Sequence, residues 1–151
     1  MRVKGIKVII RDCTAGDLLD ESRWTTDVET NRLDPSVGHP VDIHKYSIDT
    51  INGKHIGVCA VYDITSQDAQ VGIRIGEKDY WNCGCGTDAI KLFVEYLFSQ
   101  MSVNRLYLKV LPENIRAIRC YEKCDFIQYD MIELNNMIFI LMELWRLESE
   151  E

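Results

Sequence analysis

The stretch Tyr80-Trp81-Asn82-Cys83-Gly84-Cys85-Gly86-Thr87-Asp88-Ala89-Ile90 constrains this chain more than any other. It sets Gly84 and Gly86 two residues apart, in a loop that runs straight into an apolar-striped segment. Ile90, Phe93, Val94, Leu97, Phe98 and Met101 recur at three and four residues. That spacing predicts a helix from about residue 87 with one buried face. Glycine lets such a loop turn sharply and lie close to a ligand. The first turn of the helix offers free N–H groups, and its dipole favours negative charge. A phosphate or pyrophosphate is the natural occupant. An ordinary tight loop can carry the same glycine pair, so the flanking segments have to decide.

Those segments read as a mixed α/β chain. Val8-Ile9-Ile10-Arg11 is a short opening strand. Thr14 and Asp17 resemble the start of a helix, with Thr14 as cap, Leu18 and Leu19 as its apolar positions, and an end between Ser22 and Thr30. Residues 31–40 hold Pro35, Gly38 and Pro40 and read as a loop. Strands 43–51 and 54–64 flank Asn52-Gly53, a two-residue hairpin signal. Gly57 in the return strand marks a bulge or a close backbone approach. A strand over 70–75 leads to the glycine loop. After the apolar helix come a strand over 104–110, a helix from about Asn114 to Cys124, and two strands, 126–133 and 137–144, around Asn135-Asn136. The order is β-α-β-β-β-α-β-α-β-β: about seven strands, mostly antiparallel, with one β-α-β crossover. We read a single domain over residues 1–147 and a frayed acidic tail over 148–151.

Composition removes several function classes. The chain has 151 residues and a formal net charge of −7, which argues against nucleic acid, a partner that needs a basic footprint. An acidic balance suits a cationic substrate. No apolar run reaches the ~18 residues of a membrane span, and the first residues carry no signal-peptide pattern. The expectation is a cytoplasmic protein with no membrane partner. The six cysteines, Cys13, Cys59, Cys83, Cys85, Cys120 and Cys124, read as reduced thiols. Cys83/Cys85 and Cys120/Cys124 are spaced C-x-C and C-x3-C, unlike the C-x2-C pairs of zinc sites, so no metal is expected.

The crossover brings strand 104–110 back beside strand 70–75, and ligands of such sheets sit at the carboxyl ends of the strands. Asn114, Ala117, Tyr121 and Cys124 fall on one side of the second helix. That face suits a polar ligand lying alongside. The same spacing also suits a Tyr121 packed under the sheet and an Asn114 that only caps the helix.

Residues 71–126 resemble the core of the GNAT N-acetyltransferases. Three pieces carry the likeness, in order and spacing: Gly76-Glu77-Lys78-Asp79-Tyr80-Trp81-Asn82-Cys83-Gly84-Cys85-Gly86-Thr87-Asp88-Ala89, then Pro112-Glu113-Asn114-Ile115-Arg116-Ala117-Ile118-Arg119-Cys120-Tyr121-Glu122-Lys123, then Cys124-Asp125-Phe126. The branch most similar is that of the ribosomal-protein N-terminal and spermidine acetyltransferases. The resemblance implies the GNAT fold and acetyl-CoA as cofactor. The pyrophosphate loop falls on Trp81, Asn82, Cys83, Gly84, Cys85 and Gly86, with Thr87 opening the helix and Trp81 replacing the usual Gln or Arg. Ile73, Arg74 and Ile75 would lie on the splayed strand, where Ile73 and Ile75 pair with the pantetheine arm and a backbone N–H near Ile73 or Arg74 serves the oxyanion. Asn114 and Ala117 would border the same arm, Arg119 and Lys123 the adenosine phosphates. Tyr121 matches the tyrosine expected to protonate the leaving thiolate.

The implied reaction is direct attack by a neutral amine in a ternary complex, which needs a proton acceptor and an oxyanion donor. Many relatives carry a glutamate where this chain has Gln70, and glutamine takes no proton. Asp68, Glu77, Asp79 or a water chain are the candidates, and we take Glu77. The acceptor is a small amine such as a polyamine, or a peptide N-terminus. Trp24, His39, His44, Asp20, Glu21, Asp27 and Glu29 lie in the part of the chain that shapes its site. The resemblance also allows a homodimer. A non-catalytic acyl-CoA-binding module stays open because of Gln70. A nucleotide-binding protein of another class would need a P-loop lysine, which is absent after Gly86.

Overall fold

A computed structural model describes residues 1–33 and 43–147. Most of the expected loop over residues 31–40, His39 included, and the expected tail over 148–151 lie outside the described residues. Eight strands form one sheet: β1 (Arg2–Lys4), β2 (Val8–Asp12), β3 (His44–Thr50), β4 (His55–Tyr62), β5 (Asp68–Ile75), β6 (Arg105–Val110), β7 (Ile127–Leu134) and β8 (Met137–Trp145). Their order across the sheet is β1-β2-β3-β4-β5-β6-β8-β7. Among the described residues four α-helices accompany them: α1 (Asp17–Thr25), α2 (Val28–Leu33), α3 (Cys85–Gln100) and α4 (Ile115–Lys123). Each neighbouring pair of strands is antiparallel except β5 and β6.

That one parallel pair shapes the site. β5 and β6 are in register only at Asp68↔Arg105, Ala69↔Leu106 and Gln70↔Tyr107. Beyond Gln70 the two strands separate, and residues 71–75 pair with β4 alone. The sheet is therefore continuous at one end and split at the other.

The apolar stripe of α3 packs as its period predicts. Ala89, Ile90, Phe93 and Leu97 are buried with Val8, Ile10, Ile48, Ile56, Leu106 and Leu108 of the sheet. Burying side chains of this size contributes about 1.5–3 kcal/mol each. Tyr46 meets Phe93 edge-on at 5.9 Å and Tyr96 at 6.1 Å, so β3 and α3 lock through aromatic rings.

Several boundaries differ from the sequence reading. The chain opens on a hairpin, β1–β2, rather than one strand; a three-residue strand is too short to show alternation. The first helix ends at Thr25, and a second, α2, follows. Gly16, not Thr14, caps α1. Asp17 Oδ2 does accept the Thr14 backbone N–H at 2.8 Å, which is half of a capping box. Leu18 and Leu19 are exposed, because Trp24 supplies the buried apolar contact of α1. The β3–β4 turn is wider than two residues. Gly53 N donates to Thr50 O, Thr50 N donates to Lys54 O, and only Gly53 takes a positive φ, 91°. Gly57 is a close approach: a Cβ there would stand 2.3 Å from Arg74 O. Asn135 and Asn136 both take positive φ, 51° and 63°, as a two-residue β7–β8 turn requires.

Candidate functional site

A cavity opens where β5 leaves β6. Its walls come from three elements: Ile73, Arg74 and Ile75 of β5, Gly86 and Ile90 of α3, and Asn114, Arg116, Ala117, Cys120 and Tyr121 of α4 and its cap, with Trp81 from the intervening loop. Seven residues singled out from the sequence for cofactor binding other than the tyrosine meet here: Ile73, Arg74, Ile75, Trp81, Gly86, Asn114 and Ala117. Tyr121 meets them in the same wall. Asn82, Cys83, Gly84, Cys85 and Thr87 lie in the adjoining loop and first helical turn, outside the lining.

The loop is built by local rules. Gly84 caps α3 with φ 88°, a left-handed conformation that disfavours any residue with a Cβ. The helix therefore starts at Cys85, two residues earlier than the apolar period shows, because the polar first turn adds nothing to the stripe. A Cβ on Gly86 would meet Cys120 Sγ at 3.6 Å, so α3 and α4 sit close beside the cavity.

The N-terminal hairpin holds this turn from behind. Asp88, in the first turn of α3, accepts backbone N–H groups from Lys7 at 2.8 Å, Val8 at 3.1 Å and Ile6 at 3.3 Å. Lys7 Nζ donates to Cys83 O at 2.8 Å. Sequence reading missed this support, since residues 5–7 show neither alternation nor a motif.

Trp81 is tied on both sides. Its Nε1 donates to Ile75 O at 2.7 Å, and Arg116 Cζ lies 3.6 Å from its ring centroid. Arg116 was not among the expected residues. Its place two residues after the cap Asn114 carried no signal without Trp81 across the cavity. Tyr121 is 6 % exposed and meets Phe126 edge-on at 5.7 Å. The phenol thus lines the cavity while its ring is packed, which joins the two readings that the spacing left open.

Glu77, expected beside Tyr121 in the catalytic set, does not line this cavity. Its carboxylate takes hydrogen bonds from Arg23 and from Trp24 Nε1, the latter at 3.2 Å. The Arg23 guanidinium, then the Trp24 N–H, hold its pKa below the usual carboxylate range. A carboxylate so stabilised is a weak proton acceptor, and the geometry ties it to α1 rather than to Tyr121. It faces a separate cleft with Arg23, Trp24, Asp27, Gly76, Lys78 and Asp79. Asp68, another candidate, pairs with Arg105 at 3.2 Å. Gln70 is buried at the point where β5 and β6 part. With its amide nitrogen turned to Asp63 Oδ2 at 3.2 Å, its oxygen accepts from Lys109 Nζ at 3.2 Å and Tyr62 Oη at 3.3 Å.

The residues expected to shape an acceptor site are mostly engaged. Asp20 holds His55 Nδ1 at 2.9 Å, Glu21 pairs with Lys45, and Asp27 and Glu29 both bind Lys78. Trp24 is core, 2 % exposed, and His44 is exposed. Below them, Arg11 joins Asp17 and Asp49 through four hydrogen bonds of 2.7–3.0 Å, and Ser47 Oγ donates to Asp17 at 2.7 Å. Among the described residues, no three or more His, Cys, Asp or Glu side chains gather to hold a metal, and no helix is long and apolar enough to cross a membrane.

A family model described as an acetyltransferase (GNAT) domain matches residues 20–127. An aminoglycoside N(6')-acetyltransferase type 1 of Klebsiella pneumoniae is 31 % identical over 120 residues, which cover 71 % of this chain and 59 % of that protein. The match thus spans under two thirds of that relative's length. Among solved structures, an aminoglycoside acetyltransferase in complex with coenzyme A superposes with a TM-score of 0.80 at 21 % identity, covering 92 % of this chain and 95 % of its own. A spermidine N-acetyltransferase from Vibrio cholerae, bound to CoA and spermine, superposes at 0.79 with 17 % identity, covering 91 % and 95 %. At those identities the likeness is one of fold.

Proposed function

The chain belongs to the GNAT acetyltransferase family, and from that premise we propose that it transfers an acetyl group from acetyl-CoA to a primary amine. One observation carries the reading: β5, the first turn of α3 and α4 converge on a single cavity at the split in the sheet. The residues there fit the cofactor. Residues 71–75 diverge from β6, the N-terminus of α3 points amides at the loop, and Asn114 and Tyr121 add polar groups opposite. Acetyl-CoA would supply an activated thioester carbonyl. The backbone of Ile73 and Ile75 would hold the pantetheine arm, and residues 81–87 the pyrophosphate, with Arg74 and Ala117 alongside. A backbone N–H near Ile73 would stabilise the oxyanion. Tyr121 Oη would give its proton to the departing sulfur.

Proton removal from the attacking amine completes this mechanism. Glu77 enters it only as a carboxylate fixed by Arg23, so its substitution by glutamine should disturb α1 more than proton transfer. For the acceptor we propose a small polycationic amine, ahead of a peptide N-terminus. The net charge of −7 and the aminoglycoside and spermidine enzymes among the similar proteins support this choice. It also leaves room for the spermidine acetyltransferase branch. For oligomeric state we propose a homodimer through β7, an edge strand that exposes Ile127, Tyr129 and Met131.

A second reading, a non-catalytic acyl-CoA-binding module, is favoured by the amide at Gln70 and the engaged Glu77. Mass spectrometry after incubation with acetyl-CoA and a panel of polyamines, aminoglycosides and peptides tests both. An acetylated product establishes the transferase. CoA binding without product across the panel moves the balance to the module.

A further inference from the structure

Cys83 and Cys85 flank the capping glycine, and their sulfurs stand 3.4 Å apart. No step of the proposed transfer uses either thiol. Cys83 is exposed, and its Sγ lies 3.0 Å from Tyr80 O. Cys85 is buried as the first residue of α3. The Lys7 ammonium, fixed on Cys83 O at 2.8 Å, adds positive charge beside the pair. An exposed thiol with a second thiol in contact behind it is the arrangement in which a first oxidation is resolved locally. Of the other thiols, Cys124 donates instead to Thr87 O at 3.6 Å, and Cys120 borders the cavity.

We propose that Cys83 and Cys85 form an oxidation site for hydroperoxides, whose disulfide state shuts the adjoining cofactor loop. The Cys83 thiolate attacks the peroxide. The O–O bond breaks, the alcohol or water leaves, and Cys83 becomes a sulfenic acid. The Cys85 sulfur then attacks Cys83 Sγ, the S–S bond forms, the S–O bond breaks and water departs with the Cys85 proton. Two thiols are oxidised by two electrons, and one hydroperoxide is reduced to an alcohol (or water) and water. Burial, followed by the contact with Cys83, pushes the Cys85 thiol up to about 11, so the exposed Cys83 is the thiol that meets the peroxide first.

Closing the bond must shorten 3.4 Å to about 2.05 Å across one intervening residue. That residue is Gly84, held at φ 88° as the cap of α3. The new bond would put its strain on that peptide and on the amides of the first helical turn beside it.

The effect on CoA rests on the function proposed above; the disulfide itself does not. The test uses the full chain, reduced and then treated with hydrogen peroxide. Peptide mapping reads the bond, and calorimetry with CoA reads the loop. The expected result is a peptide holding both cysteines that loses two hydrogens, with CoA affinity at least tenfold lower and restored by dithiothreitol. Cys83→Ser should keep whatever affinity it shows before peroxide. A map without this disulfide overturns the proposal, as does a mapped disulfide with unchanged affinity. If the reduced wild type binds no CoA, the functional reading fails instead, and the map alone still decides the oxidation site.

Discussion

Arg116 and Trp81 form a stacked pair, with the guanidinium carbon 3.6 Å from the ring centroid. One belongs to α4 and the other to the loop before α3, so the pair bridges the two walls of the cavity. The indole N–H on Ile75 O extends the bridge to β5. Trp81→Ala removes a hydrogen bond and a cation–π contact, together about 2 kcal/mol. CoA binding by calorimetry should weaken by more than tenfold. Trp81→Phe keeps a ring for Arg116 and should lose less. Equal affinity in the alanine variant would show that the bridge does not organise the site.

Tyr121→Phe tests the acid. The ring contact with Phe126 survives the change, so folding and CoA affinity should hold. Turnover should fall by about 10²-fold, the scale of general acid catalysis. Wild-type kcat in the variant would remove the phenol from the chemistry.

Gly76→Ala is a stability test of the contact between α1 and the end of β5. A Cβ there would stand 2.0 Å from the Trp24 ring, which is buried. Overpacking of this kind costs about 1–3 kcal/mol. The urea midpoint should drop accordingly, and an unchanged midpoint would mean that α1 is free to shift.

The Arg11–Asp17 pair sets an acid limit. Hydrogen bonding from Arg11, against the opposing effect of burial, holds the Asp17 carboxyl well below the usual range. Its folded pKa is lower than its unfolded value of about 3.9. The unfolded chain therefore takes up the proton first. The contribution of Asp17 is complete above that pH and is lost as pH falls toward the folded value. Asp17→Asn should destabilise the protein by about 2 kcal/mol at pH 7, since it leaves a partly buried arginine half-paired. Denaturation from pH 7 down to pH 3 should show a shallower acid loss in the variant than in the wild type.

The parts of this molecule written in local chemistry were legible in the sequence. The period of Ile90, Phe93 and Leu97 marked α3, Gly57 marked the close approach to Arg74, and the glycine pair marked the loop. What was missed depends on contacts between distant segments. The grip of Asp88 on residues 6–8 joins positions some eighty residues apart, and nothing in either segment announces it. Arg116 was not singled out, because its contact with Trp81 spans the cavity. The tie that holds Glu77 was hidden for the same kind of reason: its partner, Arg23, lies 54 residues away. Leu18 and Leu19 invited a buried assignment, but a nine-residue helix resting on Trp24 had no further face to bury.

The split between β5 and β6 bears on how the protein moves. Strands β1–β5 and β6–β8 share one ladder only at three residue pairs, from Asp68 to Gln70. A ligand lying in the gap would act as a missing strand and stitch the two half-sheets together along residues 71–75. Amide hydrogen exchange should then report ligation far beyond the pocket, with the slowest-opening unit growing from half a sheet to a whole one.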